Sequence, residues 1–319
     1  MKWEQLFLDH GRVRPSLRFF LAVILIVFVY LAVGIILGMT FHLFHGQPQH
    51  LLFWANGLML VALLASFKVL TRFFEEKPLS SIGLAVCGRW KTELGIGLSL
   101  GVAMILAVAG LEWGLGLARF SLNTISAEQV LAAGAYYFLV FAVAAVNEEI
   151  IFRGYPFQRL VEAIGPASAV AILSIGFGLV HLQNPSHPWL STLNTVAIGI
   201  SLSVAYLRTR ALWLPIGLHF AWNFVLGYGM GLPVSGILFS RTLLHASVNG
   251  PVWVTGGNYG PEGGGLATGV ILAVTIYLLF SPSIYISEEV RGLTLDAANS
   301  PPTKLAGGVP SPVASTDSL

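Results

Sequence analysis

Eight apolar runs, each close to the length of a bilayer-crossing helix, dominate this sequence: residues 17–41, 51–73, 94–118, 128–150, 166–183, 190–207, 211–230 and 265–284. A hydrocarbon core about 30 Å thick is crossed by about 20 helical residues. Only helices and closed barrels satisfy all their backbone polar groups there. The chain is therefore read as an all-α, polytopic transmembrane bundle of about eight spanning helices. Composition agrees: 55% of the 319 residues are hydrophobic and only 10% charged, where soluble domains carry roughly 25% charged residues. A net charge of +2 gives nucleic acid no basic footprint. The lone cysteine, Cys87, rules out an internal disulfide, a CxxC redox pair and a thiolate zinc site. The first run is too long for the apolar core of a signal peptide, so it reads as the first span.

Lysine and arginine orient the bundle. With eight spans, fifteen of the seventeen basic residues fall on one side, and only Arg119 and Arg241 on the other. Basic loops stay cytoplasmic, so both termini are expected in the cytoplasm of a multi-pass protein of the cell membrane. The connector Pro78–Leu84, flanked by basic residues, is expected to form a short interfacial helix. Four stretches follow: spans one to three with that connector (1–125), a core (126–229), an outer Gly-rich loop with the last span (230–286), and a disordered cytoplasmic tail (287–319). The stretch Gly256–Gly265 has no lysine at phosphate-loop spacing and reads as a flexible loop. Gly34/Gly38 and Gly97/Gly101 have the small-xxx-small spacing of helix contacts.

Ionisable groups inside a membrane cost about 2.5–3.5 kcal/mol or more and mark function by default. Glu93 and Glu112 fall at helix ends, where water is within reach. Glu148, Glu149 and Arg153 do not. Glu149 and Arg153, four apart, share a helix face and can pair, whereas Glu148 points about 100° away, without a local partner. Such a carboxylate suits a general base; the competing reading is a buried structural ion cluster. Phe177 and His181 are four apart on the fifth span, and His219 and Asn223 on the seventh. Counting about 1.5 Å of rise per residue from the cytoplasmic turns puts these groups within one or two helical turns of a common depth. A carboxylate and a histidine can deprotonate a water, and a second histidine with an amide can donate to an oxyanion. No nucleophilic side chain stands nearby, since Ser174 is two helical turns from His181.

Glu148-Glu149-Ile150-Ile151-Phe152-Arg153 is an EExxxR motif, Phe177 to His181 is FxxxH, and His219 to Asn223 is HxxxN. In this order they resemble the CPBP family of intramembrane proteases, which includes CAAX prenyl endopeptidases and bacteriocin-processing or self-immunity proteins. The resemblance covers about residues 126–229, and Lys77–Leu84 is similar to the segment that often precedes this core. It implies that Glu148 and His181 activate the attacking water, that His219 and Asn223 form the oxyanion hole, and that Glu149, Arg153 and Phe177 support them. The implied substrate is a peptide or protein, prenylated at a CAAX-type tail or otherwise membrane-associated, cut near the cytoplasmic side. No cofactor is expected. If a metal is used, the ligands are Glu148, His181 and His219 around zinc, although the HExxH signature is absent. Two other readings stand beside the protease: a non-catalytic peptide-binding or immunity module, and a proton-coupled transporter, which would show repeated halves that the sequence lacks.

Overall fold

The computed structural model describes residues 7–9, 12–44, 48–291 and 293. Among the described residues nine helices build the bundle: α1 (Pro15–Phe44), α2 (Pro48–Leu70), α3 (Trp90–Gly114), α4 (Ala127–Arg153), α5 (Tyr155–Ile164), α6 (Pro166–Val180), α7 (Trp189–Thr209), α8 (Trp213–Phe224) and α9 (Gly265–Phe280). Among the described residues six helical stretches are long and apolar enough to cross a bilayer, the α4–α5 pair counting as one. The helix α8, prolonged by a π-helical turn at Val225–Gly229, and the 16-residue α9 supply the two shorter apolar segments. The multi-pass bundle is as expected. Its surface fits lipid: Phe20, Ile24, Phe28, Leu31 and Ile35 on α1 recur at three- and four-residue steps and are all more than half exposed, an apolar stripe that water would penalise.

Two apolar clusters divide the interior. One joins α1, α2 and α5 around Leu63, Phe67, Tyr155 and Phe157. The other joins α3, α7, α8 and α9 around Met104, Leu202, Leu218 and Ile271. The helix α4 runs between them, with Ile150 in the first cluster and Phe141 in the second.

The strongest helix pairing is α3 with α8, and glycine explains it. A Cβ on Gly101 would sit 2.5 Å from the Leu218 carbonyl oxygen, one on Gly217 would sit 2.6 Å from that of Leu94, and one on Gly97 would strike that of Leu214. Backbones meet directly here, as small residues permit. Gly101→Leu is expected to destabilise the bundle by about 1–3 kcal/mol or more, because backbone cannot make way for the side chain; unfolding in detergent micelles measures it. Gly34 and Gly38 behave otherwise: nothing lies within 4 Å of where their Cβ atoms would be, so the expected contact is not made.

Other expectations need correction. The helix that carries Glu148 ends at Arg153. It breaks at Gly154 (φ −80°, ψ −134°), where a Cβ would strike the Ile150 carbonyl oxygen, and α5 restarts with Pro156 in its first turn. The connector at 78–84 is a single 3₁₀ turn, Leu79–Ile82, rather than an interfacial helix, and it is drawn inward: Ile82 is buried and Gln158 donates to the Ser81 carbonyl. Glu93 and Glu112 do not reach water but are 3% and 0% exposed. Arg18 and Arg159 are not free loop charges. They are buried with Glu75 and Glu162 in one ion cluster, to which Tyr155 adds a hydrogen bond. The tail expected to be disordered from residue 287 begins with a short helix, Glu288–Arg291, with Val290 buried, and beyond 293 it lies outside the described residues.

The chain also forms an antiparallel ribbon that no sequence pattern announced, β1 (Ala118–Leu122) with β2 (Leu244–Val248). It ties the α3–α4 connection to the α8–α9 connection. The Gly-rich stretch is packed rather than flexible. Gly256 and Gly260 adopt φ of +78° and +98°, open to glycine at little cost, and each abuts another carbonyl, of Gly260 and Pro233 respectively. Tyr259 between them is fully buried.

Candidate active site

Three consecutive residues near the end of α4 face three ways. Asn147 donates its amide to the Asn56 carbonyl on α2 at 2.9 Å. Glu149 points inward and is fully buried. Glu148 points into a cavity of about 320 Å³ and keeps 32% of its side chain exposed. The helical rotation of about 100° per residue thus separates a cavity-lining carboxylate from an enclosed one.

The enclosed carboxylate is a hub. Glu149 Oε1 lies 3.3 Å from the Arg153 guanidinium and accepts from His219 Nδ1 at 2.8 Å. Arg153, itself fully buried, also donates to the Gly199 carbonyl at 2.9 Å and approaches Ser203 Oγ at 3.4 Å, both on α7. Its remaining face lies 4.7 Å from the Phe177 ring centre. The i,i+4 pair expected on α4 is formed, and it reaches two further helices that the spacing did not reveal. A carboxylate can only accept, so His219 Nδ1 is the donor in this bond.

His181 sits at the C-terminal end of α6, where the last carbonyls lack helical partners. Its Nδ1 donates to the Phe177 carbonyl at 2.7 Å, which leaves its Nε2 facing the cavity. That nitrogen lies 4.0 Å from Glu148 Oε2, and His219 Nε2 lies 3.7 Å from the same oxygen. Both separations exceed a hydrogen bond, so the carboxylate faces two imidazoles without bonding directly to either. Phe177, whose ring centre is 4.7 Å from that of His181 and 6.3 Å from that of His219, forms the wall between them. Asn223, one turn beyond His219 on α8, lines the same cavity. Glu148, His181, His219 and Asn223 are thus brought together, with Glu149 and Arg153 beneath them. Ser174 is buried against Gly199 at the α6–α7 contact and belongs to packing. Among the described residues, no group of three or more His, Cys, Asp or Glu side chains is arranged to hold a metal ion.

The cavity also has a rim that sequence reasoning missed. Glu262, from the Gly-rich stretch, accepts from Trp222 Nε1 at 2.8 Å and from the Ser235 amide and hydroxyl at 2.5 and 2.8 Å. Asn194 on α7 donates to the Glu262 and Gly264 carbonyls and accepts from Thr268. A lone acid in a glycine-rich loop carries no periodicity, so nothing in the sequence tied it to Trp222.

Residues 131–225 match the family model described as Rce1-like, type II CAAX prenyl endopeptidase Rce1-like. That match lies inside the 126–229 stretch whose motifs resemble the CPBP family. All seven motif residues, Glu148 to Asn223, fall within the matched Rce1-like segment. Over 140 residues the chain is also 31% identical to "Putative membrane peptidase YdiL" of Bacillus subtilis (strain 168), a match spanning 39% of this chain and 55% of that relative. No solved structure matches.

Proposed function

We propose that this protein is an intramembrane endopeptidase that hydrolyses a peptide bond with water activated by Glu148 and His181. The observation that carries the reading is the single carboxylate oxygen facing two imidazole nitrogens at 3.7 and 4.0 Å in a cavity that Asn223 also lines. The names borne by the Rce1-like family and by the Bacillus relative support it.

The residues divide the work as follows. Glu148, assisted by the free Nε2 of His181, takes a proton from water as its oxygen bonds to the scissile carbonyl carbon. The carbonyl π electrons move onto oxygen, and that oxyanion receives hydrogen bonds from Asn223 and from His219, whose doubly protonated ring donates from both nitrogens. Glu149 holds His219 through Nδ1 and balances its charge. When the tetrahedral intermediate collapses, the C–N bond breaks and the proton held by Glu148 passes to the leaving amine. The substrate is a membrane-associated peptide segment, for which the 320 Å³ cavity has room.

Purified protein offered a peptide library tests this. His181→Ala is expected to abolish cleavage, and Asn223→Ala to lower kcat by roughly 10²–10³-fold, the usual cost of one oxyanion donor. Peptide bound but never cut by the intact protein would instead favour the binding-module reading. Chelation is expected to leave the rate unchanged, as the proposed chemistry passes through no metal; activity lost to a chelator and restored by zinc overturns that part.

A further inference from the structure

The connections of the bundle sort into two internally bonded sets. In the first, Trp213 Nε1 donates to the Ala85 carbonyl, the Leu212 amide to that of Gly83, Gln158 to that of Ser81, and Arg89 to that of Ser283. In the second, β1 pairs with β2, Tyr137 donates to the Ser240 carbonyl, and the Gly236 amide donates to that of Tyr259. Among the described residues the first set carries thirteen of the fifteen basic residues by chain position. Removing the buried Arg18, Arg153 and Arg159 leaves ten, against Arg119 and Arg241 on the second. For these bonded, described connections, contacts and charge divide alike.

The cavity leans toward the second set. Asn184, Ser235, Phe239 and Glu262, from loops on the charge-poor side, line it. Toward the basic side lie Ile150, Arg153, Tyr155, Gln158 and Tyr206, none of which lines the cavity and each of which is 0% exposed. His181 stands at the end of α6 remote from the Gly165 turn, roughly 24 Å along the helix at 1.5 Å per residue. Cutting near the cytoplasmic side, as the resemblance implies, is the alternative to entry from this side.

We infer that the site is entered from the non-cytoplasmic side, and that its substrate is a translocated peptide segment: an exported peptide, or the outer tail or loop of another membrane protein. A cytosolic lipidated tail meets those buried residues instead. The substrate clause rests on the peptidase reading; the sidedness does not.

Thiol labelling separates the two. The wild-type chain carries only Cys87, on the basic side, and Cys87→Ser/Ser240→Cys carries only a thiol beside Phe239, where Ser240 is exposed. In intact expressing cells a membrane-impermeant maleimide is expected to label the second and to reach Cys87 only after permeabilisation. Cys87→Ser/Ser121→Cys, on β1, reports the same side through another exposed position. Labelling of Cys87 in intact cells, or of both outer positions only after permeabilisation, overturns the inference. Sealed vesicles given a polar peptide then test access: cleavage is expected when the outer face is turned to the peptide, and cleavage only with the inner face so turned overturns it. Full-length protein that cuts nothing even in detergent removes the peptidase reading, while the labelling result still decides the side.

Discussion

Glu148→Gln is expected to lower kcat for peptide cleavage by roughly 10²–10⁴-fold, the usual contribution of a positioned general base, with little loss of stability. The two halves of this expectation come from one placement. The Glu148 carboxylate faces His181 and His219 but bonds directly to neither, and it is one-third exposed to the cavity. The amide has the same shape and strands no partner, but it cannot take a proton from water. Single-turnover kinetics beside a thermal unfolding scan in the same detergent measures both halves. A Gln variant that cuts as fast as wild type ends the assigned role; one that unfolds much earlier shows that Glu148 is structural.

One residue further, the order of effects reverses. Glu149→Ala is expected to destabilise the protein by about 3–5 kcal/mol, because removing one member of a buried pair leaves the other charge uncompensated. Arg153 has no exposed surface through which water could replace its partner. His219 loses its Nδ1 acceptor in the same stroke. Replacing both charges, as Glu149→Leu/Arg153→Met, is expected to cost less than Glu149→Ala alone, since no unpaired charge is buried. That non-additivity distinguishes an ion hub from two independent packing residues. Denaturant unfolding of the single and double variants in micelles reads it. Adjacent glutamates are thus expected to differ in kind: one change removes rate and keeps the fold, the other removes the fold.

How far the sequence revealed this arrangement depended on range. The spans were legible because a bilayer demands about 20 apolar residues from each, a signal contained within each segment. The Glu149–Arg153 pair was legible because four-residue spacing fixes a shared face. The common depth of Glu148, His181 and His219 followed from rise per residue. What escaped was whatever joins distant segments. The bond between Glu149 and His219 depends on how far α8 is rotated against α4, and neither helix states that alone. Glu262 reaches Trp222 because the glycines at 256 and 260 let the chain fold tightly upon itself, whereas abundant glycine reads locally as freedom. Gly34 and Gly97 carry the same spacing signature, yet only Gly97 meets a neighbouring backbone. The pattern permits an approach without naming what approaches.

The meeting of α3 and α8 has a mechanical meaning. At Gly97, Gly101 and Gly217 backbone meets backbone, which leaves little between the two helices at these points to absorb a tilt. His219 and Asn223 ride on α8, so this half of the cluster is held like a jaw bolted to its frame. Whatever yields to admit a peptide must be found on the opposite wall, where α2 and α6 present Asn56 and Val180 to the cavity.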